Sequence, residues 1–133
     1  MPAFYLPGSP PYGLTWPSIR TGDLPFPVFN NEAVTSGEAS EAVALDPGGV
    51  PAVSGAQYIS VEISLTGTVG SADFAVQTAD TPVANAFQTE ASGTISSFTN
   101  GYARVELLVK AKYARVLCVT APSSGNVTAN ISR

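Results

Sequence analysis

Alternation of apolar and polar residues is clearest in the middle of the chain. Between residues 58 and 66 the residues on one side are serine, glutamate and threonine, and those on the other are Ile59, Val61, Ile63 and Leu65. A period of two with β-branched residues on the apolar side is typical of a strand with one buried face. We therefore predict a β-strand over residues 58–66.

The same alternation, or a short apolar run between turn residues, recurs along the rest of the chain. Further strands are predicted over residues 41–46, 72–79, 83–90, 102–112, 113–121 and 127–132, and residues 93–99 lead into a hairpin turn at Asn100-Gly101. Residues 113–121 are apolar on both faces, which predicts a strand in the middle of a sheet with both sides covered. Seven or eight short strands and no helical period predict an all-β fold: an antiparallel β-sandwich, jelly-roll-like.

The first 29 residues follow neither pattern. They contain seven of the eleven prolines and six of the twelve aromatic residues. Proline excludes a helix and disfavours a central strand, so this segment is predicted to be an extended arm. Residues 30–40 are small and polar and are interpreted as a linker or an irregular crossing strand. The predicted organisation is therefore an arm and linker over residues 1–40 and a β-sandwich over residues 41–133, which should fold without residues 2–29.

The aromatic residues of the arm are the candidate binding residues. An extended ribbon with large apolar side chains needs a surface, either of its own chain or of another molecule, and aromatic anchors dominate interface energetics. The predicted partner-binding residues are Phe4, Tyr5, Tyr12, Trp16, Phe26 and Phe29. Stacking of Tyr12 and Trp16 on a sugar is the alternative interpretation.

Charge narrows the range of partners. The formal net charge is −4, the isoelectric point is near 4.5, and only 12% of residues are charged. A nucleic-acid partner is not expected, because phosphate binding needs clustered Lys and Arg. Residues 1–100 hold nine acids and one base, whereas residues 101–133 hold five bases and one acid. This asymmetry reflects either ordinary variation among few charges or complementary patches on neighbouring subunits.

Chemistry-bearing residues are sparse. The chain has no histidine, its single cysteine, Cys118, lies in the most apolar strand, and nucleotide-binding and nucleophile motifs are missing. Asp73, Asp80 and Glu90 could form an acid pair or a calcium site, but each is better explained as a strand surface or turn residue. The sequence thus predicts a protein that is not an enzyme and has no cofactor or metal. The N-terminus does not resemble a signal peptide and nothing reads as a membrane span, so synthesis in a cytoplasm is expected.

Two segments resemble a known class of proteins. Residues 113–132 (Tyr113-Ala-Arg-Val-Leu-Cys-Val-Thr-Ala-Pro-Ser-Ser-Gly-Asn-Val-Thr-Ala-Asn-Ile-Ser132) and the strand from Ile59 to Gly67 are similar to small sandwich proteins of tailed-bacteriophage virions. That class includes head decoration (cement) proteins and accessory head proteins. The resemblance spans residues 57–132 and implies a homo-oligomer, commonly a trimer, that binds the major capsid protein or another virion protein.

The leading hypothesis is therefore a virion structural protein that oligomerises and docks through its N-terminal arm, made in the host cytoplasm. The alternative is a glycan- or receptor-binding module of a phage or bacterial adhesin. A fimbria-like subunit that donates its arm as a strand is a third possibility, which the seven prolines disfavour.

Overall fold

The computed structural model describes the backbone of Ser18–Ile19 and residues 24–45, 57–67, 70–81 and 83–133. This part of the chain contains nine strands and one short 3-10 turn. The strands are β1 (Ser18–Ile19), β2 (Phe26–Glu32), β3 (Val43–Leu45), β4 (Gln57–Leu65), β5 (Asp73–Ala79), β6 (Gln88–Ile95), β7 (Tyr102–Val109), β8 (Tyr113–Thr120) and β9 (Val127–Ser132), and the 3-10 turn is Ala84–Ala86.

The strands form two sheets that pack face to face. One sheet has the order β2-β9-β4-β7 and the other has the order β1-β3-β8-β5-β6. The pairs β2–β9, β3–β8, β4–β7 and β5–β6 are all antiparallel, so the chain from β2 to β9 is a long hairpin wrapped into two sheets. This is the eight-strand jelly-roll connectivity of two Greek keys. The two-residue β1 adds a parallel edge strand next to β3.

The core lies between the sheets and follows the alternation seen in the sequence. The inward residues of β4 are 0–8% exposed, and Phe74 and Val76 of β5 are completely buried. Phe98, in the connection from β6 to β7, packs edge-on against Phe74 with ring centroids 5.9 Å apart. The period-two positions therefore build the sandwich, as the sequence predicts.

Strand β8 confirms the prediction of a central strand. It lies between β3 and β5, and Ala114, Val116 and Cys118 are completely buried on its inner face. On its outer face Arg115 is 8% exposed, whereas Val119 is 48% exposed. Both sides of the strand are thus covered at its start, and only the inner side is covered near its end.

One predicted strand boundary shifts, and one predicted turn is confirmed. Residues 83–90 do not begin as a strand, because Ala84–Ala86 forms a 3-10 turn and β6 starts at Gln88. The Asn100-Gly101 turn is confirmed: both residues have positive φ, and the amides of Thr99 and Tyr102 each donate to the other's carbonyl. A Cβ at position 101 would lie 2.7 Å from the Leu65 carbonyl oxygen, so glycine is required there.

Strand β2 corrects the predicted boundary between arm and domain. Residues 26–32 pair with β9 at the edge of the four-stranded sheet, where Pro27 is tolerated because an edge strand needs only one set of backbone partners. The side chain of Phe29 is 1% exposed and belongs to the core, and Phe26 packs against that core. Phe29 is thus unavailable to a partner, and deleting residues 2–29 would remove β1 and the first part of β2, including this core residue.

The segment before β3 is held by β8. The Ser40 amide donates to the Val116 carbonyl at 2.8 Å, and the Val116 amide donates to Ser40 Oγ at 2.9 Å. The Cys118 amide donates to the Glu38 carbonyl at 2.8 Å. Residues 37–40, predicted as a linker or an irregular crossing strand, therefore extend the ladder of the five-stranded sheet.

Candidate functional site: the open face of the four-stranded sheet

The outward side of β4 and β7 is a surface that we call the open face. The alternation that sends isoleucine, valine and leucine inward sends a mixed set of side chains outward. These are Tyr58, Ser60, Glu62 and Ser64 of β4 and Tyr102, Arg104, Glu106 and Leu108 of β7. Six of these eight side chains are exposed and the other two, Ser60 and Glu62, are half-buried, so the open face is presented outward.

The two ends of the open face carry exposed apolar side chains. At one end Tyr58, 72% exposed, lies directly opposite Leu108, 52% exposed, in the β4–β7 register. At the other end Tyr102, 44% exposed, lies opposite Ser64. Exposed side chains of this size on neighbouring strands are more informative than scattered ones, because contiguous apolar patches mark interaction surfaces.

Between these ends the charged side chains bind one another. Arg104 Nη2 lies 2.5 Å from Glu106 Oε2, and Arg104 Nε donates a hydrogen bond to Ser60 Oγ at 3.0 Å. The Tyr102 hydroxyl donates to Glu62 Oε2 at 2.9 Å. That hydrogen bond, with smaller contributions from burial and from the Glu62 charge, raises the pKa of Tyr102. The centre of the open face is therefore a polar network whose groups already have partners.

A cleft of about 460 Å³ borders the open face at the start of β7. One wall is formed by residues 94–97 and Thr99, and the other by the first four residues of β7, including Tyr102 and Arg104. The first wall carries four hydroxyl groups, from Thr94, Ser96, Ser97 and Thr99. This cleft offers hydrogen bonds to a small polar ligand next to an exposed aromatic ring.

The outer face of the five-stranded sheet is different, because the connection from β5 to β6 folds over it. Phe87 is 7% exposed in a small cluster with Ala42 and Ala79. The Arg115 guanidinium lies 4.3 Å from the centre of the Phe87 ring. Its Nε donates to Gln77 Oε1 at 2.9 Å and its Nη2 to the Ala84 carbonyl at 3.3 Å. Burial lowers the pKa of Arg115. Arg115 therefore links the connection between β5 and β6 to the five-stranded sheet.

The structure also places the other chemistry-bearing residues. Cys118 is completely buried, and burial raises the pKa of its thiol, so a thiolate is disfavoured. Asp80 and Glu90 border a second cleft of about 330 Å³, where Glu90 Oε2 accepts a hydrogen bond from the Thr78 hydroxyl. Asp73 lies at the start of β5 and does not border that cleft. Across the described ranges no three or more His, Cys, Asp or Glu side chains come together as a metal site.

Four of the six predicted binding residues, Phe4, Tyr5, Tyr12 and Trp16, lie outside the described residues. The other two, Phe26 and Phe29, belong to β2. The sequence analysis did not predict the open face. The sequence does contain a signal for it, because Tyr58 and Leu108 are large apolar residues at positions that the alternation assigns to the polar side.

Comparisons with known proteins give no match: no family model, no curated protein and no solved structure is significantly similar to this chain. Separately, the described residues include no helix long and apolar enough to span a membrane.

Proposed function

We propose that this protein is a structural subunit of a larger assembly, and specifically a virion protein that decorates or stabilises a capsid. The observation that carries the proposal is the open face, where Tyr58 and Leu108 are exposed opposite each other on two regular strands. A partner that covers this pair would bury apolar area without leaving the neighbouring charges unpaired, because Arg104 and Glu106 already bind each other.

The architecture supports the same proposal by analogy. Jelly rolls occur in viral capsid proteins and in lectins, although a fold alone does not define a function. The low charge of the chain also favours protein contact, because interface cores are depleted in charged residues. In this proposal the partners are other copies of the chain and the major capsid protein or another virion protein.

The first test is assembly of the full chain. Native mass spectrometry of the purified protein is expected to give a homo-oligomer, with a trimer as the specific expectation. A variant without residues 2–17 keeps every described strand, since β1 begins at Ser18, and is expected to be a folded monomer. A full chain that remains a monomer at all concentrations would overturn the proposed assembly.

The virion itself is tested by electron microscopy of particles labelled with an antibody against this protein. Regular labelling over the capsid surface is expected. Particles that carry no label, from cells that make the protein in quantity, would overturn the virion assignment and leave assembly to be judged by the mass measurement.

A second candidate function is glycan binding, which the hydroxyl-lined cleft beside Tyr102 favours. Sugars are bound by hydrogen-bonding groups next to aromatic rings, and this cleft has both. A glycan array probed with the full chain and with Tyr102→Ala separates the two functions. Saturable binding that Tyr102→Ala removes would support the glycan-binding function, and an array without binding would exclude the glycans tested.

A further inference from the structure

We infer that the open face is the docking surface for the N-terminal segment, residues 1–17, of a neighbouring copy of the chain. The inference rests on the assembly proposed above and names the two surfaces that meet in it. It follows from the chemistry of the open face, the chemistry of the segment and the position where the segment joins the sandwich.

The open face suits a neutral apolar partner. Its exposed apolar side chains are Tyr58 and Leu108 at one end and Tyr102 at the other. Between them, Arg104 binds Glu106 and Ser60, while Glu62 accepts a hydrogen bond from the Tyr102 hydroxyl. A charged partner would have to compete with these contacts, whereas an uncharged one covers them without breaking any.

Residues 1–17 have the matching composition. The segment contains no Asp, Glu, Lys or Arg, five prolines and four aromatic residues: Phe4, Tyr5, Tyr12 and Trp16. Aromatic side chains contribute large contact areas to interfaces, and proline lowers the conformational entropy that a segment loses on docking. A neutral aromatic ribbon adds no charge to a surface on which Arg104 pairs with Glu106 and the Glu62 carboxylate accepts a hydrogen bond from Tyr102.

The point of attachment favours a neighbouring copy over the segment's own domain. Residue 18 lies in β1, at the edge of the five-stranded sheet, whereas β4 and β7 lie in the other sheet and β7 is next to β6 at the opposite side of the sandwich. An extended proline-rich ribbon of this length spans roughly 50 Å. A domain of this size has a radius of gyration of only about 13 Å. A straight ribbon therefore passes beyond its own domain, and reaching its own open face would require a reversal around β2 and β9.

Trp16 provides the readout, because it is the single tryptophan of the chain and lies in the docking segment. Its fluorescence emission and its quenching by acrylamide are measured in the full-length protein over a range of concentrations. The variants are Tyr58→Lys and Leu108→Glu, both at exposed positions of the open face. The matched control is Val119→Lys, at an exposed position of the other sheet with similar exposure, 48%.

The expected result is a Trp16 that becomes shielded from acrylamide as the protein associates. Each open-face variant should weaken association by about tenfold or more, as loss of an interface anchor does. Val119→Lys should behave like the parent protein. Circular dichroism checks that all variants stay folded, and Tyr58→Ser replaces Tyr58→Lys if the lysine variant does not.

Three other outcomes overturn the inference in distinguishable ways. Unchanged association and Trp16 shielding in both open-face variants would mean that the segment docks elsewhere, while the proposed assembly stands. A monomer whose Trp16 is shielded at every concentration would mean that the segment docks on its own domain. A monomer with accessible Trp16 throughout would overturn the proposed assembly as well.

Discussion

The outer faces of the two sheets are built from similar strands but are used differently. On the five-stranded sheet, Phe87 and Arg115 lie under the connection from β5 to β6 and are 7% and 8% exposed. On the four-stranded sheet, Tyr58 and Leu108 are 72% and 52% exposed. Each outer face thus carries a large aromatic residue and an arginine. These are Tyr58 and Arg104 on the open face, and Phe87 and Arg115 on the outer face of the five-stranded sheet.

The difference shows which polar contacts hold the fold and which remain on a surface. Arg115 is bound to a neighbouring strand and to a carbonyl of the covering connection, so its contacts link separate parts of the chain. Arg104 binds Glu106 two residues away on its own strand and Ser60 on the strand beside it, and its side chain is 50% exposed. The first arginine stabilises tertiary structure, and the second shapes a surface. Three predictions test this contrast.

The largest effect is expected from a matched pair of aromatic truncations. Phe87→Ala removes a buried ring that packs on Ala42 and Ala79 and stacks under Arg115, so it should lower the free energy of unfolding by about 3 kcal/mol. Tyr58→Ala removes an exposed ring and should change it by less than about 0.5 kcal/mol. Urea unfolding of monomeric protein, for example the variant without residues 2–17, measures both. Equal effects of the two truncations would contradict the contrast between the faces.

A smaller effect is expected from the two arginines. Arg115→Met keeps the packing volume but leaves Gln77 Oε1 and the Ala84 carbonyl without their donors, which should cost about 1–2 kcal/mol after relief of the buried charge. Arg104→Met breaks an exposed ion pair and should cost about 0.5 kcal/mol or less. Both are measured by urea unfolding in the same background. A stable Arg115→Met variant would show that apolar packing alone holds the connection.

The smallest effect concerns the pH dependence of the open face. The pKa of Tyr102 is raised above its ordinary value of 10.0 by its hydrogen bond to Glu62, so the native state favours the neutral phenol. The resulting stabilisation is fully present below pH 10.0 and is lost as the pH rises through the higher native pKa. Ultraviolet titration of tyrosinate should show the raised pKa of Tyr102. That tyrosine should return toward its ordinary range in Glu62→Gln, whereas Glu106→Gln serves as the control that should leave it in place.

Several sequence-based predictions were correct because they depend only on residues that are close together in the sequence. The alternation placed the side chains of residues 58–65 on the correct faces of β4, because a half-buried strand has apolar and polar residues in a period of two. The Asn100-Gly101 turn was equally predictable, because few residue pairs adopt positive φ at both positions.

Other features could not be predicted because the deciding contact is distant along the chain. The prolines of residues 1–29 predicted an arm outside the sandwich, yet residues 26–32 form β2 because β9, about 100 residues later, offers a free edge. Gln77 occupies an outward position of β5, yet Arg115 and the β5–β6 connection bury it to 9% exposure. The residues near Pro27 do not predict its pairing with β9, and the residues near Gln77 do not predict its burial.

The sequence by itself therefore determined the all-β class, the turn at Asn100-Gly101 and the faces of the regular strands, since these depend on periodicity and backbone preference. Only the tertiary structure decided which strands share a sheet, that β2 belongs to the domain, and that one outer face is covered while the other stays open. Pairing and coverage depend on contacts between distant residues, and a local pattern of apolar and polar residues does not specify them. Tyr58 and Leu108 illustrate this: each is an ordinary residue in its own strand, and they form a surface only because β4 and β7 pair in register.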